Sequence, residues 1–207
     1  MRGLLHLYGV IVAAGCAIAL VLAAAITRGG AATVATAIYG FSVCLCFGTS
    51  ALYHRRVWGP RGYAFMRRAD HAAIFLLIAG TYTPFAVLLL PTDSARSLLT
   101  VVWSGALAGV VLQLAWPNAP RWLSVPIYIA LGWTAVWYLP DMIEHSSITL
   151  LALVTAGGVA YSVGALFYAL KRPNPIPHLF GHHELFHACT LLAALCHYIA
   201  AYLALVA

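Results

Sequence analysis

The sequence predicts an all-α membrane protein, a bundle of seven transmembrane helices forming a single domain over residues 1–207. Two observations predict this class: the scarcity of charge and the sevenfold recurrence of long apolar segments. Hydrophobic residues make up 63% of the chain and charged residues only 8%, whereas a soluble domain carries about 25% charged residues. So few charges cannot cover a water-facing surface, but they suit the hydrocarbon of a bilayer.

Seven apolar segments are each long enough to cross a hydrocarbon core of about 30 Å. The predicted spans cover residues 4–26, 33–53, 70–90, 94–115, 122–139, 148–170 and 184–206. Glycine and proline pairs mark the breaks between them, such as Gly29-Gly30, Gly59-Pro60 and Pro140-Asp141, because these residues favour turns. The spans therefore follow one another through short connections.

The distribution of basic residues predicts the orientation of the bundle. With a cytoplasmic N-terminus, the external segments hold only Arg28 and Arg96. The cytoplasmic segments then hold Arg2, Arg55, Arg56, Arg61, Arg67, Arg68, Arg121, Lys171 and Arg172. Basic residues accumulate in cytoplasmic loops, so we expect a cytoplasmic N-terminus and an external C-terminus. The same loops account for the net charge of +6, and no nucleic-acid partner is expected.

Polar side chains at the cytoplasmic ends of the second and third spans are candidates for function, because burying such groups in a membrane is costly. Ser50 and His54 are one helical turn apart and share a face. Asp70 is expected to open the third span, where the helix dipole favours a carboxylate. Taken singly, His54 could be a solvated helix end, and Asp70 could be a capping carboxylate paired with Arg67 or Arg68.

A pair of histidines, His183 and His187, begins the seventh span. At this spacing both imidazoles can reach one tetrahedral zinc ion at about 2.0–2.1 Å. A chance pair is the alternative in a chain with nine histidines. His178 and His182 have the same spacing, but a nearby proline and glycine argue against a continuous helix there.

The alternation of the spans brings these candidates to one depth. The second span ends at the cytoplasmic side with His54, and the third and seventh begin there with Asp70 and His183. Three histidines at one depth predict a zinc site. Three protein nitrogens leave a fourth position open, which is typical of catalytic rather than structural zinc.

Residues 183–187 also match H-E-x-x-H, the signature of zinc proteases in which the glutamate is the general base. An intramembrane metalloprotease is therefore an alternative. The sequence has no second ligand motif of such proteases, and this reading leaves His54 and Asp70 without a role. Glu184 is expected instead to favour the start of the helix.

Three motifs resemble the hemolysin III-type bacterial members of the PAQR (progestin and adipoQ receptor) family, relatives of the adiponectin receptors and alkaline ceramidases. They are S-A-L-Y-H over 50–54, D-H-A-A-I-F over 70–75 continuing to G-T-Y-T-P over 80–84, and H-x3-H over 183–187. The resemblance implies zinc ligands at His54, His183 and His187. It implies that Asp70 holds the zinc-bound water and that Ser50 neighbours the site. It also implies a multi-pass protein of the bacterial inner membrane.

The leading functional hypothesis is a zinc-dependent hydrolase of membrane lipids, cutting an amide or ester bond as a ceramidase does. A membrane lipid whose acyl chain enters between helices is the expected partner. Alternatives are a non-enzymatic regulator or receptor-like protein with structural zinc, and a pore-forming hemolysin. His197 lies about 15 Å deeper than His187 on the same helix and is expected to be an interior polar residue.

Overall fold

The computed structural model describes residues 3–116, 119–177 and 179–207. Within these ranges, seven helical segments are long and apolar enough to cross a membrane, which confirms the predicted all-α bundle. The helices are α1 (Leu4–Thr27), α2 (Gly30–Arg55), α3 (Pro60–Leu89), α4 (Thr92–Ala115), α5 (Arg121–Gly132), α6 (Leu139–His145), α7 (Ile148–Leu170) and α8 (His182–Val206).

The connection between α1 and α2 depends on a glycine. Gly29 has a φ of 79°, a left-handed conformation that glycine adopts without a steric penalty. The chain reverses between Thr27 and Gly30 at this residue. Two long apolar helices can therefore pack side by side with almost no intervening loop.

The third span begins earlier than predicted. Helix α3 starts at Pro60, and proline is well tolerated in the first turn of a helix because its missing N–H has no intrahelical acceptor there. Asp70 consequently lies about 15 Å along the helix axis from that start. The prediction that Asp70 opens the helix and gains from its dipole is wrong. The polar first part of α3 is helical, but it lacks the hydropathy that marks a span.

The fifth span is interrupted, whereas the sequence predicted one helix over 122–139. It consists of α5, a 3₁₀ turn (Thr134–Tyr138) and α6. The hydroxyl of Tyr82 donates to the carbonyl of Gly132 at 2.5 Å and accepts from the N–H of Ala135 at 3.0 Å. Backbone groups freed by a break need partners in a membrane. Here the Tyr82 hydroxyl is the partner of two of these groups, the Gly132 carbonyl and the Ala135 N–H.

The helices are buried to very different degrees. Helix α3 is the central element. In an apolar 18-residue stretch of each helix, 72% is buried in α3 and 11% in α1. Helix α8 packs against α1, α2, α3 and α7. The outer faces of α1 and α7 carry exposed apolar side chains, as expected of surfaces that face lipid. Side chains near the start of α8 therefore meet groups from several other helices.

Basic residues gather at one end of the bundle, which we call the basic end. Helices α2, α4 and α7 finish there, and α1, α3, α5 and α8 begin there. Its described basic residues are Arg55, Arg56, Arg61, Arg67, Arg68, Arg121, Lys171 and Arg172, and Arg2 lies outside the described residues. Arg28 and Arg96 lie at the opposite end. The assignment of the basic end to the cytoplasm stays a prediction.

Candidate metal centre

Three histidines from two helices converge at the basic end. His54 is the penultimate residue of α2, and His183 and His187 occupy the first two turns of α8. The Nε2 atoms of His54 and His183 lie 3.0 Å apart. One potential ligand atom from each of the three side chains lies within 4.8 Å of the others. The fold therefore brings together the three histidines that the sequence predicted as zinc ligands.

The spacing of these nitrogens is compatible with zinc. In a tetrahedral site with Zn–N distances of about 2.0–2.1 Å, ligand nitrogens lie about 3.3 Å apart. The 3.0 Å separation of the His54 and His183 nitrogens is close to this value. Imidazole nitrogen is also among the donors that zinc prefers. The group could hold a metal ion with small movements of its rings.

The start of α8 is fixed by Glu184. Its carboxylate accepts a hydrogen bond from the backbone N–H of Gly181 at 3.0 Å, which satisfies a donor that the helix itself leaves unpaired. This agrees with the expectation that Glu184 favours the helix start. The glutamate of the H-E-x-x-H pattern thus has a structural role in the fold.

His182 contacts the loop that precedes α8 and is not one of the three candidate ligands. Its backbone N–H and its ring Nδ1 both lie 3.0 Å from the side-chain oxygen of Asn174, in the preceding loop. Helix α8 begins at His182, so the predicted interruption of a helix before this residue is correct for the part of the chain described. His178 lies outside the described residues.

Ser50 and Asp70 form a pair beside the histidines. Ser50 lies beside the Asp70 carboxyl group, one turn before His54 on α2. Ser50 is buried, and the Asp70 side chain is 15% exposed. The two side chains bring α2 and α3 together close to the candidate ligands.

A second polar link, which the sequence did not indicate, forms a wall of the site. His71 donates through Nδ1 to the carbonyl of Arg67 at 2.8 Å and accepts through Nε2 from the hydroxyl of Tyr168 at 3.2 Å. The Tyr168 ring lies 5.9 Å from the ring of His183. The guanidinium of Arg121 lies over the Tyr168 ring, 4.2 Å from its centroid. An aromatic residue in an apolar helix carries no local signal of such a role.

His6 of α1 is a fourth histidine at the site, and sequence reasoning missed it. Its ring stacks on that of His187, with centroids 3.9 Å apart and planes 8° apart. It also stacks on Phe47 at 4.8 Å. The one available signal was a lone histidine within a long apolar segment, since polar residues inside membrane helices are often functional.

The comparisons with known proteins agree with the motifs. A family model described as "Haemolysin-III related" matches residues 1–198. Hemolysin-3 of Bacillus cereus is 32% identical over 177 residues, which is 86% of this chain and 80% of that protein. The Hemolysin-3 homolog of Bacillus subtilis is 32% identical over 186 residues, 90% of this chain and 84% of the homolog. These matches confirm the predicted resemblance. With the seven spans they indicate a multi-pass protein of the bacterial inner membrane.

Proposed function

This chain belongs to the haemolysin-III related family of membrane proteins, and on that premise we propose that it is a zinc-dependent hydrolase of membrane lipids. The observation that carries the proposal is the convergence of His54, His183 and His187, whose candidate ligand atoms lie within 4.8 Å of one another. These residues would hold the ion. Three ligands leave one coordination position for water or substrate, as in catalytic zinc sites.

The chemistry divides between the metal and the protein. When bound, zinc acidifies water and polarises a carbonyl oxygen. Asp70 accepts the proton that water loses as it attacks the scissile amide or ester. Ser50 lies beside Asp70, where its hydroxyl would help to orient the general base.

The surroundings of the site favour a lipid substrate. The apolar outer faces of the helices let an acyl chain approach through the bilayer rather than through water. Arginines at the basic end, including Arg55, Arg67 and Arg121, can attract anionic head groups, each contributing about 1 kcal/mol at the membrane surface. With the expected orientation, the reaction takes place at the cytoplasmic leaflet.

Metal analysis of the protein purified in detergent tests the first part of the proposal. We expect one zinc per chain in the wild type and its loss in His187→Ala. His145→Ala is a matched control, because His145 is exposed at the opposite end of the bundle and its removal should leave the metal in place. A wild-type protein that binds no zinc would refute the proposal.

Measurement of lipid turnover tests the second part of the proposal, the hydrolase activity. Ceramide-like amides and phospholipids are incubated with the zinc-loaded wild type and with Asp70→Asn, which keeps the shape of the side chain but is a poor base. We expect a loss of about 10²–10⁴-fold in the variant, the usual contribution of a general base. Equal turnover in the two proteins would exclude Asp70 as that base.

A non-enzymatic regulator is the second candidate function. Its support is that the histidines come from α2 and α8, so that zinc would pin two helices together. Metal retention without Asp70-dependent turnover would favour this candidate. Release of a dye from liposomes would distinguish the hydrolase and the regulator from a pore-forming protein, the function that the names of the relatives suggest.

A further inference from the structure

Helix α1 makes its closest approach to the metal centre through one face. A Cβ atom on Gly3 would lie 2.8 Å from the Cβ of His54, and one on Gly9 would lie 2.6 Å from Leu191. Both distances are too short for real side chains, so the helix backbone touches α2 and α8 at these points. His6 lies between the two glycines, three residues from each, on the same helical face.

His6 is an unusual residue for a packing position. It is 2% exposed, and neither of its ring nitrogens has a hydrogen-bond partner among the described residues. Burying a polar group without a hydrogen bond costs free energy. A phenylalanine or leucine would fill the space without that cost. The ring is nevertheless seated face to face on His187.

The stacking geometry excludes His6 as a fourth ligand of the same ion. The lone pair of an imidazole nitrogen lies in the plane of its ring, so an ion bound by His187 lies near the His187 plane. The His6 plane is inclined to it by only 8° and is displaced, with the centroids 3.9 Å apart. An ion on His187 would therefore lie outside the plane in which the lone pairs of the His6 nitrogens point.

We propose that His6 is a positioning residue, which holds the ring of His187 in the orientation that metal binding requires. The inference rests on the proposed function, because it assumes that His187 is a ligand. The terminal torsion of histidine has broad minima, so a neighbour packed face to face on the ring restricts its plane. Outer-shell groups that orient metal-ligating histidines, known mostly as hydrogen-bond partners, contribute strongly to affinity. Here the support is an aromatic face contributed by α1, which supplies no ligand itself.

Two variants of His6 distinguish the effect of its aromatic face from the effect of its ring nitrogens. His6→Phe keeps an aromatic face against His187, and His6→Leu fills similar space without one. Each protein, purified whole in detergent and stripped of metal, is titrated with zinc against a chelator of known affinity and with cobalt followed by its visible absorption. Thermal unfolding of the metal-free proteins is measured in parallel.

We expect His6→Phe to bind zinc within about threefold of the wild type and His6→Leu to bind about tenfold or more weakly, the range typical of groups that orient a metal ligand. The cobalt spectrum should change in the leucine variant and stay close to wild type in the phenylalanine variant. A merely structural role would change only the unfolding temperatures of the variants and leave both spectra unchanged.

Wild-type affinity in both variants would overturn the inference, and so would an equal loss in both, because the nitrogens rather than the ring face would then matter. Either result leaves the proposed function intact, since the wild type would still bind metal. Absence of zinc and cobalt binding by the wild type would overturn the proposed function and this inference together.

Discussion

Two buried histidines of α8, His187 and His197, have opposite surroundings. The ring of His187 is packed with those of three other histidines, His6, His54 and His183. The ring of His197 packs against Tyr161 and Phe85, and its Nε2 donates to the carbonyl of Val154 at 3.2 Å. The two residues are 2% and 7% exposed.

The comparison shows that burial does not identify a functional histidine in a membrane protein. Both residues belong to one helix, and about 15 Å separates them along its axis. His197 is accommodated by a single backbone carbonyl and by the absence of a side chain at Gly157. His187 is accommodated among other nitrogen donors, an arrangement that a metal ion can stabilise. The neighbours, rather than the depth, distinguish the two sites.

The largest expected difference between the two sites is in metal affinity. His54→Ala removes a candidate ligand next to His187 and should weaken zinc binding by more than about 100-fold, because loss of mere outer-sphere groups already costs about 10–100-fold. His197→Leu removes a buried imidazole about three helical turns from the metal centre and should stay within about threefold of the wild type. Competition with a chelator measures both. Comparable losses in the two variants would contradict the distinction.

The fold and the histidine group were predictable for physical reasons. A bilayer leaves the chain few alternatives to helices, so composition and recurring apolar segments sufficed for the class. The spacing of His183 and His187 and the alternation of the spans then brought His54 to the same end. The hydrolytic role of Asp70 and Ser50 stays a prediction, although the two side chains are neighbours.

Other features could not be predicted, because they depend on contacts distant in sequence. The break in the fifth span is stabilised by Tyr82, which lies 50 residues before Gly132. His6 meets His187 only because α1 packs against α8. The position of Asp70 in α3 was misjudged, because hydropathy marks the apolar part of a helix and says nothing of a polar helical extension.

A smaller effect is expected at the His197 site, and it concerns stability rather than metal. A Cβ atom on Gly157 would lie 2.4 Å from the Nε2 of His197. Gly157→Ala should therefore displace the ring, weaken its bond to Val154 and destabilise the fold by about 1–3 kcal/mol, as overpacking does. Zinc affinity should not change, since the disturbance is about three helical turns from the metal centre.

Gly158→Ala is the matched control for this substitution. The nearest atom to a Cβ at Gly158 is 3.9 Å away, in the ring of Trp133, which is an ordinary van der Waals contact. Thermal unfolding of the two variants in detergent measures the difference. If Gly158→Ala is as destabilised as Gly157→Ala, the close approach to His197 is not the cause.

The smallest effect is expected at Glu184, between the two histidines of α8. In the fold its carboxylate accepts from the N–H of Gly181, and the side-chain oxygen of a glutamine can accept the same bond. Glu184→Gln should therefore keep zinc affinity and lipid turnover within about threefold, and Glu184→Ala should lose about 1 kcal/mol of stability with the cap. A zinc protease would behave differently, since its glutamate is the general base. A loss of about 10²-fold or more in the turnover of Glu184→Gln, with zinc retained, would move the base from Asp70 to Glu184. Asp70 would then no longer be the acid that takes part in the reaction, and the role of Glu184 would no longer be only structural.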